Sequence, residues 1–435
     1  MSSPQPLTPN PQSQEKSAME YLTVQDALTA VLAGVSVLPA EKVALFDALG
    51  RMLAEPVMAQ DSLPPFTNSS MDGYALRAED LVGATKASPR NLQVIGDVAA
   101  GAVPEMQVTS GTAVRIMTGA PVPNGADAVV PVEDTNEPWR DDERPLPSHI
   151  AVSREVISGD YLRHPGEDIE AGQVVLEAGR PLRPQEVGVL ASLGVQQVSV
   201  IRKPKVGILA TGDELIAIDE PLRPGKIRNS NGYTQLAQVM ALGAEPVSLG
   251  VAKDVELDVR RCLQQGLDAG VDLFISSAGV SVGAYDVVKA VLEAEGNVGF
   301  WRVRMRPGKP LAFGTYHGVP YLGLPGNPVS AMVSFERFAR PAILKLAGHQ
   351  RLDKPQIPVT IQESMTSDGR ESYIRAVVER DGKGYTAVTT GGQGSHMMTS
   401  LVKANALLIV PEGVTDVPAG SQLQAWMLDW PETVF

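Results

Sequence analysis

The sequence has little of what most redox and metal-ligating chemistries need. Its 435 residues include one cysteine and five histidines. A lone thiol, Cys262, closes no intramolecular disulfide and builds no structural zinc cluster, a usage that points to a reducing compartment. It sits in Val259-Arg-Arg-Cys-Leu-Gln-Gln265, a helical pattern in which a buried packing thiol is expected. Positive charge is also scarce: 37 basic residues face 50 acidic ones, for a formal net charge of −13. Nonspecific nucleic-acid binding rests on clustered Lys and Arg, so a phosphate-coating surface is excluded and a local anion site is not. No apolar run approaches the roughly 18 residues of a membrane span, and the start lacks a charged and then apolar leader. A soluble, cytoplasmic protein without membrane or nucleic-acid partners is therefore expected. Residues 1–17 hold a single leucine among Pro, Ser, Gln and Asn, too little apolar surface to offset ordering entropy.

The length allows about two to four domains at roughly 100–200 residues each. Folded structure is expected from Thr23, where Thr23-Val-Gln-Asp26 has capping-box spacing and Val24, Ala27, Leu28, Val31 and Leu32 recur at helical intervals. Farther on, the short β-branched runs Gln93-Val-Ile95, Ala113-Val-Arg-Ile-Met117 and Ala128-Val-Val130 are separated by Gly/Pro-rich turns. A helix is predicted from Pro184, ending at Gly194. Beyond Pro204 strands alternate with helices: Val206 to Ala210, a helix from Ser230 to Leu242, Pro246 to Gly250, a helix near 255–269, and Asp272 to Ser276. That alternation predicts a parallel, doubly wound sheet. The runs Ile357 to Ile361, Ala376-Val-Val378, Ala387-Val-Thr389 and Ala406 to Val410 predict β structure at the end of the chain. The expected fold is thus multidomain, α/β plus β-rich. A disordered tail at 1–17 precedes a helix/strand domain at 18–60 plus 152–203, into which a β-rich domain at 61–151 is inserted. A central doubly wound parallel α/β domain at 204–350 and a C-terminal β-barrel-like domain at 351–435 complete it.

Three loops that follow predicted strands are rich in glycine and small polar residues: Thr211-Gly-Asp-Glu-Leu215, Ser277-Ala-Gly-Val-Ser-Val-Gly283 and Leu324-Pro-Gly-Asn-Pro-Val-Ser330. In a parallel sheet such loops share the carboxyl edge, where ligands bind. Glycine there lets backbone N–H groups approach an anion closely. The dinucleotide and Walker A spacings are absent. Carboxylates gather on the same edge, with Asp213 and Glu214 in the first loop, Asp254 after the second strand and Asp286 beyond the middle loop. Such a set suits Mg²⁺, which keeps waters and substrate phosphates among its ligands. Arg306-Pro-Gly-Lys-Pro310 adds a lysine point charge in a turn, and cation and carboxylates together imply a phosphate-bearing substrate. Plainer roles are open for several of these residues. Asp254 and Asp286 equally suit helix N-caps, Asp72-Gly73 is a turn dipeptide, and His396 has no second local ligand, which suits a surface or packing histidine.

Several longer motifs resemble the molybdopterin molybdenumtransferase family, which includes the enzyme domain of gephyrin. They are Pro64-Pro-Phe-Thr-Asn-Ser-Ser-Met-Asp-Gly-Tyr-Ala75, Arg115-Ile-Met-Thr-Gly-Ala-Pro121, Thr211-Gly-Asp-Glu-Leu215, Ser276-Ser-Ala-Gly-Val-Ser-Val-Gly283, Pro307-Gly-Lys-Pro310, Leu324-Pro-Gly-Asn-Pro-Val-Ser-Ala331 and Gly394-Ser-His-Met-Met-Thr-Ser-Leu-Val-Lys-Ala-Asn405. They occur in the family's order and span nearly all the chain beyond the tail. The resemblance implies insertion of molybdenum from molybdate into adenylylated molybdopterin, with a divalent cation, Mg²⁺, and release of AMP. The dithiolene sulfurs that take the metal belong to the substrate, so a chain poor in soft ligands loses nothing.

The resemblance further implies roles for individual residues. Asp254 and Asp286 are expected Mg²⁺ contacts, and Glu214, Asp286 and Lys309 catalytic groups. Gly212, Asp213, Gly279, Ser281, Gly283, Pro325, Gly326, Asn327 and Ser330 are expected to line the pterin, phosphate and molybdate pocket. Asp72 and Thr118 are also expected catalytic groups, reaching the cleft of the other subunit of a homodimer, with the domain at 18–60 plus 152–203 as the dimerisation element. Molybdoenzymes or other cofactor-synthesis proteins are candidate recipients of the product. Thr67, Ala278, Asn229 and Arg306 depart from the commoner pattern, which has Asp, Gly, Asp and Lys at those places. The rival reading is a non-catalytic scaffold of the same fold, since gephyrin also carries a partner-binding surface.

Overall fold

The computed structural model describes residues 21–137, 145–277, 287–382 and 384–429. The tail predicted at 1–17 lies outside them, as do Gly279, Ser281, Gly283, Asp286 and the departure at Ala278. The chain forms two compact units, one of residues 21–54 with 198–429 and one of residues 55–197.

The first unit is built on a seven-stranded sheet in the order Tyr21–Leu22, Gly296–Val303, Pro310–Tyr316, Val319–Leu324, Leu273–Ser277, Lys205–Thr211, Glu245–Ala252. The last four strands are mutually parallel, and the helices Ser230–Ala241 and Glu256–Asp268, which match the predicted ones to within two residues, connect Lys205–Thr211, Glu245–Ala252 and Leu273–Ser277 in chain order. Successive strand residues face opposite layers. Leu273 and Ile275 enter one core with Val206, Ile208, Leu322 and Phe338. Phe274 enters the other with Leu209, Val259, Cys262, Leu263 and Val291. That alternation is the period of two that a pleated strand imposes, and it buries Cys262 as expected.

Departing from a parallel sheet throughout, Pro310–Tyr316 runs antiparallel to both neighbours. The cause is local: only His317 and Gly318 connect it to the next strand, with φ of 47° and 83°. Two left-handed residues form a hairpin turn, and a hairpin leaves no room for the crossover that a parallel pair requires. On one face lies the helix Val24–Ala33, whose N-cap Thr23 accepts from the Asp26 N–H at 3.0 Å. The same core takes the run Pro328–Ser334, Phe335–Ala339 and Arg340–Leu346, in which one wide turn of π geometry interrupts the α-helix.

Toward its end the unit carries a closed barrel. Strands Glu371–Asp381, Gly384–Thr389, Gln356–Ile361, Gln422–Met427 and Ala406–Val410 pair in that order, and the last returns to the first. Val359, Ile361, Ala376, Val378, Leu408, Val410 and Met427 fill it.

The second unit holds a five-stranded sheet in the order Ala128–Pro131, Gly73–Leu76, Thr112–Ile116, Arg90–Val98, His149–Val152. Tyr74, Leu92 and Val130 pack on one face, and Ala75, Val114 and Val129 on the other. The Asp72-Gly73 pair is not a free turn here, because Gly73 opens a central strand. The helix Pro184–Ser192 starts at the predicted proline and buries Glu186 against Arg180 and Arg183.

Candidate active site

The carboxyl ends of the parallel strands open into a cleft of about 980 Å³ within the first unit. Four chain segments build its sheet side. Thr211 ends the strand Lys205–Thr211, Glu214 and Leu215 follow it, and Ser277 ends its neighbour. Arg306 to Pro310 cross from one antiparallel strand to the next, and Pro325 to Pro328 with Ser330 follow Val319–Leu324. The start of the helix Ser230–Ala241 and the Gln393-Gly-Ser-His396 segment complete the wall.

Hydrogen bonds fix these pieces to one another. Asn229 caps its helix by accepting from the Gly232 N–H at 2.9 Å. Asn231 Nδ2 donates to the Gly326 carbonyl at 2.7 Å, joining that helix start to the Pro-Gly-Asn-Pro loop. Val329 N–H donates to the Ser395 carbonyl at 3.0 Å, which brings the Gly-Ser-His segment against the same loop. Asn327 is the N-cap of the following helix and its side chain makes no cap bond. Pro328 at the first helical position has no N–H and the Val329 N–H is taken by Ser395, so what this end offers an anion is the favourable helix dipole rather than a row of free donors.

Charge in the cleft is opposite to that of the chain. Arg228, Arg306, Lys309 and Arg370 line it, with Glu214 as the lone carboxylate among its described lining residues. Arg370 is engaged by Asp368, with Nε 3.1 Å from Oδ2, and Arg306 lies 3.6 Å from the same carboxylate. Arg370 is the chief cause that holds the Asp368 pKa below its ordinary value. Among the described residues no carboxylate pairs with Lys309, whose ammonium sits over the Tyr21 ring. Behind the wall lies Arg375, 1% exposed, donating to Ser400 Oγ at 3.0 Å and to the Gly394 carbonyl at 3.2 Å. Burial, and then the charge of Arg306, push its pKa down to about 10, so it remains a cation at neutral pH.

Of the residues the sequence marked, Glu214, Lys309, Pro325, Gly326, Asn327 and Ser330 meet in this cleft. Gly212 is required beside it: its φ is 139°, and a Cβ there would lie 2.4 Å from Glu214 Oε2, so only glycine lets that carboxylate fold back over the loop. Asp213 and Gly212 face a neighbouring cavity of about 990 Å³ instead. Asp213 and Asp254 hold one another, each carboxylate accepting the other's backbone N–H at 3.2 Å. Asp254 is therefore not a helix N-cap; Val255 holds that place. Among the described residues no set of three His, Cys, Asp or Glu side chains converges as a metal centre. Asp286, the other expected metal contact, lies outside the described residues. In the second unit Asp72 Oδ1 accepts from Thr118 N–H at 2.7 Å and from Thr118 Oγ1 at 2.8 Å, so those two predicted residues form one polar pair.

Sequence reasoning left Arg228, Asn231, Arg370, Gln393 and Ser395 unmarked as site residues and gave His396 a surface or packing role. His396 lines the cleft. Position within the Gly394 to Asn405 motif was the available signal for Ser395 and His396. No local pattern singles out Arg370, which enters from the barrel.

Comparison with known proteins extends over both units. Three family models match: the MoeA N-terminal region (domain I and II) at residues 22–194, a probable molybdopterin binding domain at 207–345, and the MoeA C-terminal region (domain IV) at 358–428. Molybdopterin molybdenumtransferase 2 of Mycobacterium tuberculosis is 40% identical over 394 residues, 89% of this chain and 94% of that protein. Molybdopterin molybdenumtransferase of Bacillus subtilis is 36% identical over 406 residues, 91% and 92% of the two chains. Among solved structures, the molybdopterin biosynthesis MoeA protein of Pyrococcus horikoshii OT3 superposes with a TM-score of 0.77 at 31% identity, covering 94% of this chain and all of that one.

Proposed function

The chain belongs to the molybdopterin molybdenumtransferase family of molybdenum cofactor biosynthesis, and from that premise we propose that its cleft takes adenylylated molybdopterin and molybdate, inserts molybdenum into the dithiolene and releases AMP with Mg²⁺. The observation that carries this reading is the cleft's charge: among its described lining residues four cationic side chains stand against one carboxylate in a chain of net charge −13. Both proposed substrates are anions, and cations fixed in a cleft bind them without reorganising at the moment of reaction.

In this scheme Lys309 and Arg306 hold molybdate oxygens, and Ser330 with the helix end at Asn327 takes phosphate oxygens. Gly326 and Pro325 let the backbone approach the substrate. Glu214, held back over Gly212, orients substrate hydroxyl or amino groups by accepting from them. Asp254, with Asp213 beside it, and Asp286 would hold Mg²⁺. The donor set fits a hard cation, because the two adjacent carboxylates each commit one oxygen to a backbone N–H and retain a second for metal or its waters. When bound, Mg²⁺ supplies charge neutralisation at the phosphoanhydride. In a cytoplasmic homodimer the Asp72 and Thr118 pair of one copy serves the cleft of the other, and molybdoenzymes receive the product.

The test is to incubate the protein with adenylylated molybdopterin, molybdate and Mg²⁺, measuring AMP and reconstitution of a molybdenum-free acceptor enzyme. Molybdate-dependent AMP release with reconstitution is the expected result. Substrate binding without AMP release would replace the catalytic reading with that of a scaffold.

A further inference from the structure

We propose that Tyr21 is a positioning residue that holds the Lys309 ammonium in the cleft for an oxyanion, an inference that rests on the assignment of Lys309 to the oxyanion. The strand Tyr21–Leu22 pairs in parallel with the sheet, Tyr21 opposite Arg302. The neighbouring backbone continues that attachment into the site segment. Arg304 N–H donates to the Leu22 carbonyl at 2.9 Å, and Val303 N–H to the Lys309 carbonyl at 2.7 Å. The segment carrying Arg306 and Lys309 is thereby anchored beside Tyr21 at its start and closed on itself at its end.

Two cations lie over the Tyr21 ring, Lys309 Nζ and the Arg302 guanidinium carbon, each 5.6 Å from its centroid. Arg302 Nη1 also donates to Tyr21 Oη at 3.0 Å, fixing the ring's orientation. That hydrogen bond is the main cause that draws the phenol pKa below its ordinary value, and the Lys309 charge adds to it. The chemistry suits an anion site in a particular way. Lysine is a flexible point charge and loses rotamer freedom when it is fixed. A carboxylate placed to hold it would cancel the charge the oxyanion needs. An aromatic face attracts the ammonium through its quadrupole and leaves the positive charge intact. Tyr21 is 52% exposed, which sets the scale at roughly a two- to fivefold effect on affinity, as for exposed cation–π contacts.

The test is molybdate binding to the full chain, measured by titration calorimetry with molybdate alone at neutral pH. Tyr21→Leu should weaken binding by about two- to fivefold, and Tyr21→Phe, which keeps the ring face but loses the hydrogen bond from Arg302, should restore part of that loss. In a Lys309→Ala background Tyr21→Leu should have no further effect, a coupling that a merely structural strand residue would not show. Wild-type affinity in Tyr21→Leu, equal losses in the Leu and Phe variants, or an undiminished loss in the Lys309→Ala background would each overturn the role of Tyr21. If Lys309→Ala itself binds molybdate as well as wild type, the assignment of Lys309 fails, and that of Tyr21 falls with it.

Discussion

Replacing Glu186 with glutamine should make the stability of residues 55–197 less dependent on pH in the acid range. The carboxylate is 2% exposed and accepts five hydrogen bonds: two from Arg180, at 3.0 and 2.9 Å, and three from Arg183, at 3.0, 3.0 and 2.6 Å. The Arg183 side chain contributes most to holding its pKa at about 2, against 4.5 for the free group. If the whole difference were realised, the native state would gain roughly 3 kcal/mol at neutral pH, at about 1.4 kcal/mol per pH unit. Both arginines are about half exposed, and water screens such pairs, which lowers the expectation to about 1–2 kcal/mol. Because the folded pKa is depressed, this stability is present above about pH 5 and disappears as pH falls toward 2. By pH 3 about three-fifths of it should be gone. Urea unfolding followed by circular dichroism at pH 7 and pH 3 measures both quantities. The Glu186→Gln deficit should be about 1–2 kcal/mol at pH 7 and less than half that at pH 3. An equal deficit at the two pH values would refute the ionic origin of the stabilisation.

The remaining expectations concern the cleft. Lys309→Ala should lower molybdate-dependent AMP release by at least about tenfold with an unchanged melting temperature; full activity would remove Lys309 from the scheme. Gly212→Ala should cost about 1–3 kcal/mol, because alanine is strained at positive φ. It should also displace the Glu214 carboxylate and so reduce turnover, which denaturation and AMP-release assays would report separately. Asp72→Ala should lose activity alone, yet co-expressed with the Lys309→Ala chain it should recover about a quarter of wild-type activity. Half of the randomly formed dimers would then carry one intact site built from two copies. No recovery would place each site within a single chain.

The legible part of the fold was that written in local patterns. Thr23 capping its helix, the helix from Pro184, the alternating strands and helices from Lys205 to Ser277, and the Ala406–Val410 strand all follow from residues within a few positions of each other. The strands Gly296–Val303 and Pro310–Tyr316 escaped because their character depends on pairing with each other. The antiparallel step they introduce hangs on the two-residue turn at His317 and Gly318.

The site divides in the same way. The loops carrying Glu214, Lys309 and Pro325 to Ser330 were legible because glycine, proline and charge mark turns at strand ends, and in a parallel sheet such turns share the carboxyl edge. The sequence alone determined that an acidic chain poor in thiols and imidazoles carries such loops at one sheet edge. Only the tertiary structure decided that Asp213 and Asp254 hold one another's backbone, that Arg370, Ser395 and His396 join the cleft from the barrel, and that a tyrosine ring at position 21 lies under the Lys309 ammonium. Those contacts join residues up to 288 positions apart, and nothing in a local pattern encodes them, because they follow from strand order and sheet closure, which pack distant segments against one edge.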